Sequence, residues 1–237
     1  MGYVAVIVIM GVLVFVHESG HFIAARVAGI PVARFSVGFG PGLWSLRKGG
    51  TEYRISAVPL GGYVLPGMND EKEFFELPVH KRIIFSLGGP LANIIFTLIL
   101  FAVINTVTRG FSLRAVFITP FSQTLDFMYK ILCVIPGIFS GSAQLSGVAG
   151  IVFQGGRFIG SDVLKMINFS IMLGLNLTVF NLLPVPALDG GKIVLYIMEK
   201  IDPRMARLHL PFVIAGWIFM LLLMLYATFL DVAKYFI

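Results

Sequence analysis

Residues 2–27 read GYVAVIVIMGVLVFVHESGHFIAARV, and this stretch decides the class of the fold. It contains no charged residue before Glu18. A transmembrane helix needs about 20 mainly apolar residues to cross a bilayer core of roughly 30 Å. A secretory signal peptide would carry basic residues before its apolar run, and residues 1–16 contain none. The stretch is therefore predicted to be the first membrane span.

The rest of the chain has the same apolar character. The 237 residues are 57% hydrophobic and 13% charged, with a mean hydropathy of +0.92, whereas about 25% of residues in soluble proteins are charged. This composition excludes an ordinary soluble domain, a disordered chain and a nucleic-acid-binding module. Three further apolar runs are long enough to span, at 83–108, 166–188 and 208–230. The expected fold is one membrane-embedded core over residues 1–237, a polytopic α-helical membrane protein with about four transmembrane helices.

Lys and Arg residues indicate the side of the membrane on which each connection lies. They account for the net charge of +6 and cluster between spans one and two and between spans three and four: Arg26, Arg34, Arg47, Lys48, Arg54, Lys72, Lys81, Arg82, Lys192, Lys200, Arg204 and Arg207. Cytoplasmic connections carry such an excess of basic residues. We therefore expect both connections on the cytoplasmic side.

Two connecting regions differ from the spans. Residues 33–64 alternate polar and apolar side chains around glycine pairs, which predicts a small membrane-associated β-hairpin or sheet between spans one and two. Residues 131–156 are uncharged and long enough to span, but Pro136 and six glycines disfavour a lipid-exposed helix there. We expect an interfacial helix near 125–139 followed by a loop, within a connection at about 109–160.

The first span ends in the pattern H-E-x-x-H, formed by His17-Glu18-Ser19-Gly20-His21. Two histidines four residues apart project from one face of a helix and can bind one Zn²⁺, and the Glu between them can act as a base toward water. An alternative is the end of a span that is polar because it lies near water. Ionisable groups within a bilayer cost a few kcal/mol or more, so this cluster favours a metal site.

A catalytic zinc site needs a third protein ligand. Asp189 follows an uncharged run and precedes Gly190 and Gly191 at the end of span three. If only span two intervenes, spans one and three run in the same direction, and Asp189 meets the two histidines at one depth. His80 and His209 lie beside basic residues and are interpreted as interfacial side chains. The alternative for Asp189 is a helix N-cap.

These motifs resemble the site-2 protease family of intramembrane zinc metalloproteases, and in particular its bacterial regulator-of-sigma-E branch. The resemblance covers most of the chain in the family's order and is carried by HESGHF at 17–22, GTEY at 50–53, PLGGYV at 59–64, GPLAN at 89–93, NLLPVPALDGG at 181–191 and, more weakly, LSG at 145–147. That branch usually carries PDZ domains between spans two and three. Residues 109–165 are too short and too apolar for one, so we expect none.

The resemblance implies that His17, His21 and Asp189 ligate one Zn²⁺ and that Glu18 is the catalytic base. It also implies a set of substrate contacts: Asn181, Asn93, Tyr53, Ile55 and Pro184. Asn181 is expected near the scissile bond, and a strand around 53–58 is expected to offer a free edge to an extended substrate. The alternative for Asn93 is an ordinary interhelical hydrogen bond.

The expected function is hydrolysis of peptide bonds within or next to transmembrane segments of membrane proteins, such as anti-sigma factors or signal-peptide remnants. Expected partners are a transmembrane protein or peptide substrate and the lipid bilayer, with no nucleic acid. The expected location is a bacterial cytoplasmic membrane, with the active site opening toward the cytoplasm. A zinc transporter is disfavoured because the ionisable groups concentrate at one depth. A proteolytically silent scaffold would not need Glu18, and residues 181–190 speak against a prenyl-protein protease.

Overall fold

The computed structural model describes residues 1–68, 71–139 and 147–235 of the chain. Within these residues the helices and strands are α1 (Gly2–Val27), β1 (Val32–Lys48), β2 (Thr51–Pro66), α2 (Glu71–Glu76), α3 (Val79–Arg109), α4 (Thr119–Phe139), α5 (Val148–Ile159), α6 (Val163–Asn181), α7 (Asp189–Ile201) and α8 (His209–Tyr235). A π-helical turn at Arg114–Ile118 precedes α4, and a 3₁₀ turn at Pro203–Leu208 precedes α8.

Four of the described helices are long and apolar enough to cross a membrane: Gly2–Val27, Val79–Arg109, Val163–Asn181 and Pro203–Ala233. The predicted four spans are thereby confirmed, and the chain is an integral membrane protein. The third span is shorter than predicted, because α6 ends at Asn181 and not at Leu188. Pro184 and Pro186 follow its end, and a residue that precedes proline disfavours the helical conformation.

The described residues form two compact units. The first comprises Met1–Ile9, Ile94–Val179 and Gly216–Ile237, and the second comprises Met10–Asn93 and Phe180–Ala215. The core of the first unit contains Phe101 from α3 packed with Ile171 and Leu175 from α6. In the second unit, a core of small and branched residues joins the end of α1 to the start of β1: Ala25, Ala28, Ile30 and Val32.

The first unit contains two helices where one helix and a loop were predicted. The predicted helix near 125–139 lies within α4, which begins at Thr119 and is longer than expected; its interfacial position stays a prediction. Residues 140–146 of the predicted loop lie outside the described residues. The loop prediction is wrong for residues 148–159, which form α5.

The glycines of α5 are packing positions, which explains why they do not break the helix. A Cβ atom on Gly155 would collide with the ring of Phe169, so only glycine allows this approach. Near the start of α5, the amide of Gly150 donates a hydrogen bond to the buried carboxylate of Asp231 at 2.7 Å. Close helix packing of this kind uses small residues in membrane proteins.

Strands β1 and β2 form the predicted antiparallel hairpin. Gly49 and Gly50 make the turn with φ angles of 58° and 80°, in the left-handed region that glycine adopts without strain. Leu43, Trp44 and Ile55 expose apolar side chains on this element. Exposed apolar side chains of this kind suit contact with a membrane.

The register of the sheet differs from expectation at the strand that contains Tyr53 and Ile55. Tyr53 pairs with Phe35 on one side and with Leu46 on the other, and Ile55 is also paired twice. The segment is therefore central, and the expected free edge at Tyr53 and Ile55 is not present. In the described pairings, residues 62–65 each have one partner, so they form an outer edge of the sheet.

Candidate metal centre

Three ligand atoms from α1 and α7 lie at the corners of a nearly regular triangle. The distances between Nε2 of His17, Nε2 of His21 and Oδ2 of Asp189 are all 3.2 Å. All three side chains are buried. Zinc binds such atoms at about 2.0–2.1 Å, which places neighbouring ligands of a tetrahedral site about 3.3 Å apart. The donor set and its spacing therefore fit a zinc ion with one open position.

The close approach of α1 and α3 brings the histidines to this place. Gly20 of α1 faces Gly88 and Ala92 of α3, and a Cβ atom on Gly20 would lie 2.6 Å from the Cβ atom of Ala92. Glycines at helix crossings permit this distance. Glycine at position 20 of the H-E-x-x-H pattern therefore allows α1 and α3 to pack this closely.

Gly89 forms the wall of the centre on the side of α3. A Cβ atom there would lie 2.5 Å from Nε2 of His21 and 2.6 Å from Nε2 of His17. Sequence reasoning noted Gly89 only as part of a motif and did not predict that it touches both ligands. The signal for this role is weak, because many glycines occur in membrane helices for packing alone.

Two groups on α3 hold the histidine rings from outside. Nδ1 of His21 lies 2.8 Å from the carbonyl oxygen of Phe85, and the side-chain amide of Asn93 lies 3.1 Å from Nδ1 of His17. A histidine that ligates through Nε2 carries its proton on Nδ1 and donates it to such a partner. The atom of Asn93 at this distance is the amide nitrogen, so in that tautomer the amide has to turn over for its oxygen to accept the bond from His17.

Asp189 is the first residue of α7 and not its cap. Leu188 is the N-cap and makes no side-chain capping bond, so the N-cap alternative for Asp189 is not observed. Nζ of Lys192 donates to Oδ1 of Asp189 at 3.3 Å, while Oδ2 faces the two histidines. Lys192 was not predicted as a neighbour of the centre.

The loop before α7 fixes the start of that helix. Cβ atoms on Gly190 and Gly191 would collide with the carbonyl groups of Leu182 and Val185. The two glycines therefore let residues 182–188 fold tightly over the first turn of α7. This packing turns the carboxylate of Asp189 toward α1.

Glu18 lies beside the triangle and is buried. It interacts electrostatically with His17, His21 and Asp189. Its methylene groups contact the outer edge of the sheet, because a Cβ atom on Gly62 would lie 2.6 Å from Cγ of Glu18. The predicted base is thus adjacent both to the three ligands and to a strand edge.

The five predicted substrate contacts occupy different environments. Asn93 is completely buried against His17, and the ring of Tyr53 packs near those of Phe22 and Phe35. The other three side chains are partly or largely accessible: Asn181, Ile55 and Pro184. The structure brings Asn93 into the centre and places Tyr53 within an aromatic cluster.

Comparisons with known proteins also indicate a metalloprotease. The family model described as Peptidase family M50 matches residues 5–225. A Pasteurella multocida protein provisionally named a zinc metalloprotease is 45% identical over 115 residues, which cover 44% of this chain and 26% of that protein. The regulator of sigma E protease of Haemophilus influenzae is 45% identical over 108 residues, which cover 41% of this chain and 24% of that protein.

The extent of these matches varies. A Fusobacterium nucleatum protein, also provisionally named a zinc metalloprotease, aligns over the full length of both chains at 24% identity. The matched part of the chain spans about a quarter of the length of the Pasteurella and Haemophilus relatives. The names of the Pasteurella and Fusobacterium relatives include zinc, the metal that the donor set fits.

Proposed function

Since the chain belongs to peptidase family M50, we propose that it is a zinc metalloprotease that hydrolyses peptide bonds within or next to transmembrane segments of membrane proteins. The observation that carries the proposal is the 3.2 Å triangle of His17, His21 and Asp189 with the carboxylate of Glu18 beside it. Zinc held by these three residues supplies a Lewis acid that activates water and polarises a carbonyl.

Glu18 moves the proton in the proposed reaction. Its carboxylate accepts a proton from the attacking water while the water oxygen bonds to the peptide carbonyl carbon. The carbon–nitrogen bond then breaks, and Glu18 returns the proton to the leaving amine. The burial of Glu18 supports this role, because few water molecules compete for its carboxylate.

The strand edge next to Glu18 is the proposed docking line for the substrate. A helical substrate must unwind before a carbonyl group becomes accessible, and an extended segment can then pair with a sheet edge. Residues 62–65 are paired on one side, and Gly62 touches Glu18. We therefore propose that the extended substrate pairs with residues 62–65 and not with Tyr53 and Ile55.

The remaining candidate contacts receive separate roles. Asn93 orients His17 and does not contact substrate, because it is completely buried. Asn181 is the last residue of α6 and Pro184 lies in the loop that precedes Asp189, and both stay candidates for substrate contact. Tyr53 supports the sheet from within its aromatic cluster.

The orientation of the site follows from its place on the spans. His17 and His21 lie in the second half of α1, toward the sheet that carries many basic residues. Basic connections stay in the cytoplasm. We propose a bacterial cytoplasmic membrane as the location, an active site open toward the cytoplasm, and a transmembrane protein or peptide in the bilayer as the substrate.

The Glu18→Gln variant tests this proposal. We expect it to bind zinc as the wild type does and to cleave a transmembrane peptide about 100-fold to 10,000-fold more slowly, because proton transfer contributes that much to rate. The matched control is Ser19→Ala, since among the described residues the hydroxyl of Ser19 bonds to the Phe15 carbonyl one turn earlier. Cleavage by Glu18→Gln at the wild-type rate would rule out the proposed base.

A further inference from the structure

Arg82 is the largest completely buried side chain in the described part of the chain. It lies in the first turn of α3, and its guanidinium makes a two-bond ion pair with Glu199 near the end of α7. Nη1 lies 2.7 Å from Oε2, and Nη2 lies 2.6 Å from Oε1. Nε donates a third bond to the carbonyl of Leu77 at 3.1 Å. The proposed reaction does not use this pair.

Aromatic rings pack around Arg82, and the side chain of Glu199 stays partly exposed. The guanidinium carbon of Arg82 lies 4.7 Å from the ring centre of Tyr196 and 5.9 Å from that of Phe75. His209 stacks on Tyr196, and its Nε2 atom lies 3.2 Å from Oε2 of Glu199. Removing two charges from water costs about as much as their attraction returns, so a buried pair is weak support for stability alone. A role in fixing geometry is the better-attested use of such a pair.

The two helices that Arg82 joins both serve the metal centre. The carbonyl of Phe85, the backbone of Gly89 and the amide of Asn93 place α3 against the two histidines. Helix α7 begins with Asp189. A bond between α3 and α7 therefore fixes the third ligand relative to the other two.

We infer that Arg82 is a positioning residue of the metal centre, which holds α7 through Glu199 so that Asp189 meets His17 and His21. The inference rests on the proposed function, because it needs these three residues to be the ligands. Asp189 and Glu199 are ten residues apart, about 15 Å along a helix. The preceding loop holds one end of α7, and Arg82 holds the other end.

A guanidinium is required for this role. Its planar fork matches both oxygens of a carboxylate, whereas the ammonium of lysine makes a point contact. Metal–ligand distances tolerate about 0.2 Å of error. A looser contact at Glu199 would let α7 tilt, and the carboxylate of Asp189 would leave the triangle.

The test is the zinc affinity of purified full-length variants in detergent, measured by competition with a chromophoric chelator. We expect Arg82→Lys to bind zinc about 10-fold to 100-fold more weakly, the loss typical of groups that orient metal ligands. Co²⁺ loaded in place of zinc should show altered absorption bands, because these bands report ligand geometry. The matched control is Glu52→Gln, which breaks the Arg34–Glu52 pair in the sheet and should leave zinc affinity unchanged.

Two further variants guard against a simple folding defect. Glu199→Asp keeps both charges but shortens the side chain, and the double variant Arg82→Gln with Glu199→Gln removes both charges while an amide pair is retained. Each is expected to show weakened zinc binding with normal helical content. Zinc affinity within twofold of the wild type in these variants and in Arg82→Lys would overturn the inference.

The failure of this inference can be distinguished from failure of the proposed function. If Asp189→Asn weakens zinc binding and Arg82→Lys does not, the ligands are correct and only the positioning role is wrong. If the wild type binds no zinc, both proposals are wrong. Weakened binding in both variants supports both.

Discussion

Replacing Gly89 by alanine tests how closely the metal centre is built against α3. The added Cβ atom would lie 2.5 Å from Nε2 of His21 and 2.6 Å from Nε2 of His17, whereas ordinary contacts begin at 3.4 Å. Restoring an ordinary contact requires a displacement of about 0.9 Å, and metal–ligand distances tolerate about 0.2 Å. We expect zinc affinity to fall by at least about 100-fold, the upper end of losses seen when ligands are merely misoriented.

The same substitution should have a small effect on the zinc-free protein. Alanine favours a helix over glycine by about 1 kcal/mol and overpacking costs about 1–3 kcal/mol, which leaves a net loss of about 0–2 kcal/mol in the free energy of unfolding. The assay combines metal analysis and chelator competition with thermal unfolding of the zinc-free protein. Gly11→Ala in α1 is the matched control, because a Cβ atom on Gly11 meets nothing within 4 Å. Zinc affinity of Gly89→Ala within threefold of the wild type would refute the reasoning.

The remaining predictions concern protonation and the strand edge. Zinc retention should decline as the pH falls, because protons compete with zinc for the imidazole nitrogens; a flat profile would contradict histidine ligation. Hydrogen bonds from Arg82 hold the pKa of the Glu199 carboxyl below its ordinary value. The stability that ionised Glu199 contributes to the fold is therefore present above about pH 4.3, and it is lost as the pH falls through the lowered pKa of the folded state. Of the adjacent amides of Tyr63 and Val64, one points outward from the sheet edge, where a substrate strand would pair. The proline variant that removes this outward amide, either Tyr63→Pro or Val64→Pro, should lower kcat/KM at least about tenfold. Ser45→Pro and Leu46→Pro, on the other outer edge, should lower the cleavage rate only as far as they lower the folded fraction of the protein.

The parts of the molecule that could be predicted depend on local pattern. Apolar runs of about 20 residues predict spans without knowledge of packing. The His17–His21 spacing places both rings on one helix face whatever surrounds them. Asp189 could be predicted because an acid after a long apolar run is costly in a bilayer unless it has a partner.

The parts that could not be predicted depend on contacts between distant segments. Arg82 and Glu199 are 117 positions apart, and each resembles an ordinary charge near a span end until the helices pack. The residues of α5 suggested a loop because Pro136 and six glycines in residues 131–156 disfavour a lipid-exposed helix. In the folded chain Gly155 instead provides the space that the Phe169 ring occupies.

The sheet shows why a predicted element does not reveal its functional edge. Alternation of side chains around Gly49 and Gly50 predicts a hairpin, but the hairpin alone would leave the segment around Tyr53 with one partner. The strand β1 bends so that its first half also pairs with this segment, which gives Tyr53 a second partner at Phe35. The free edge then moves to Gly62, which touches Glu18. A substrate strand added there would lie beside the base, whereas one added to the outer edge at Trp44 would be separated from Gly62 by two strand segments.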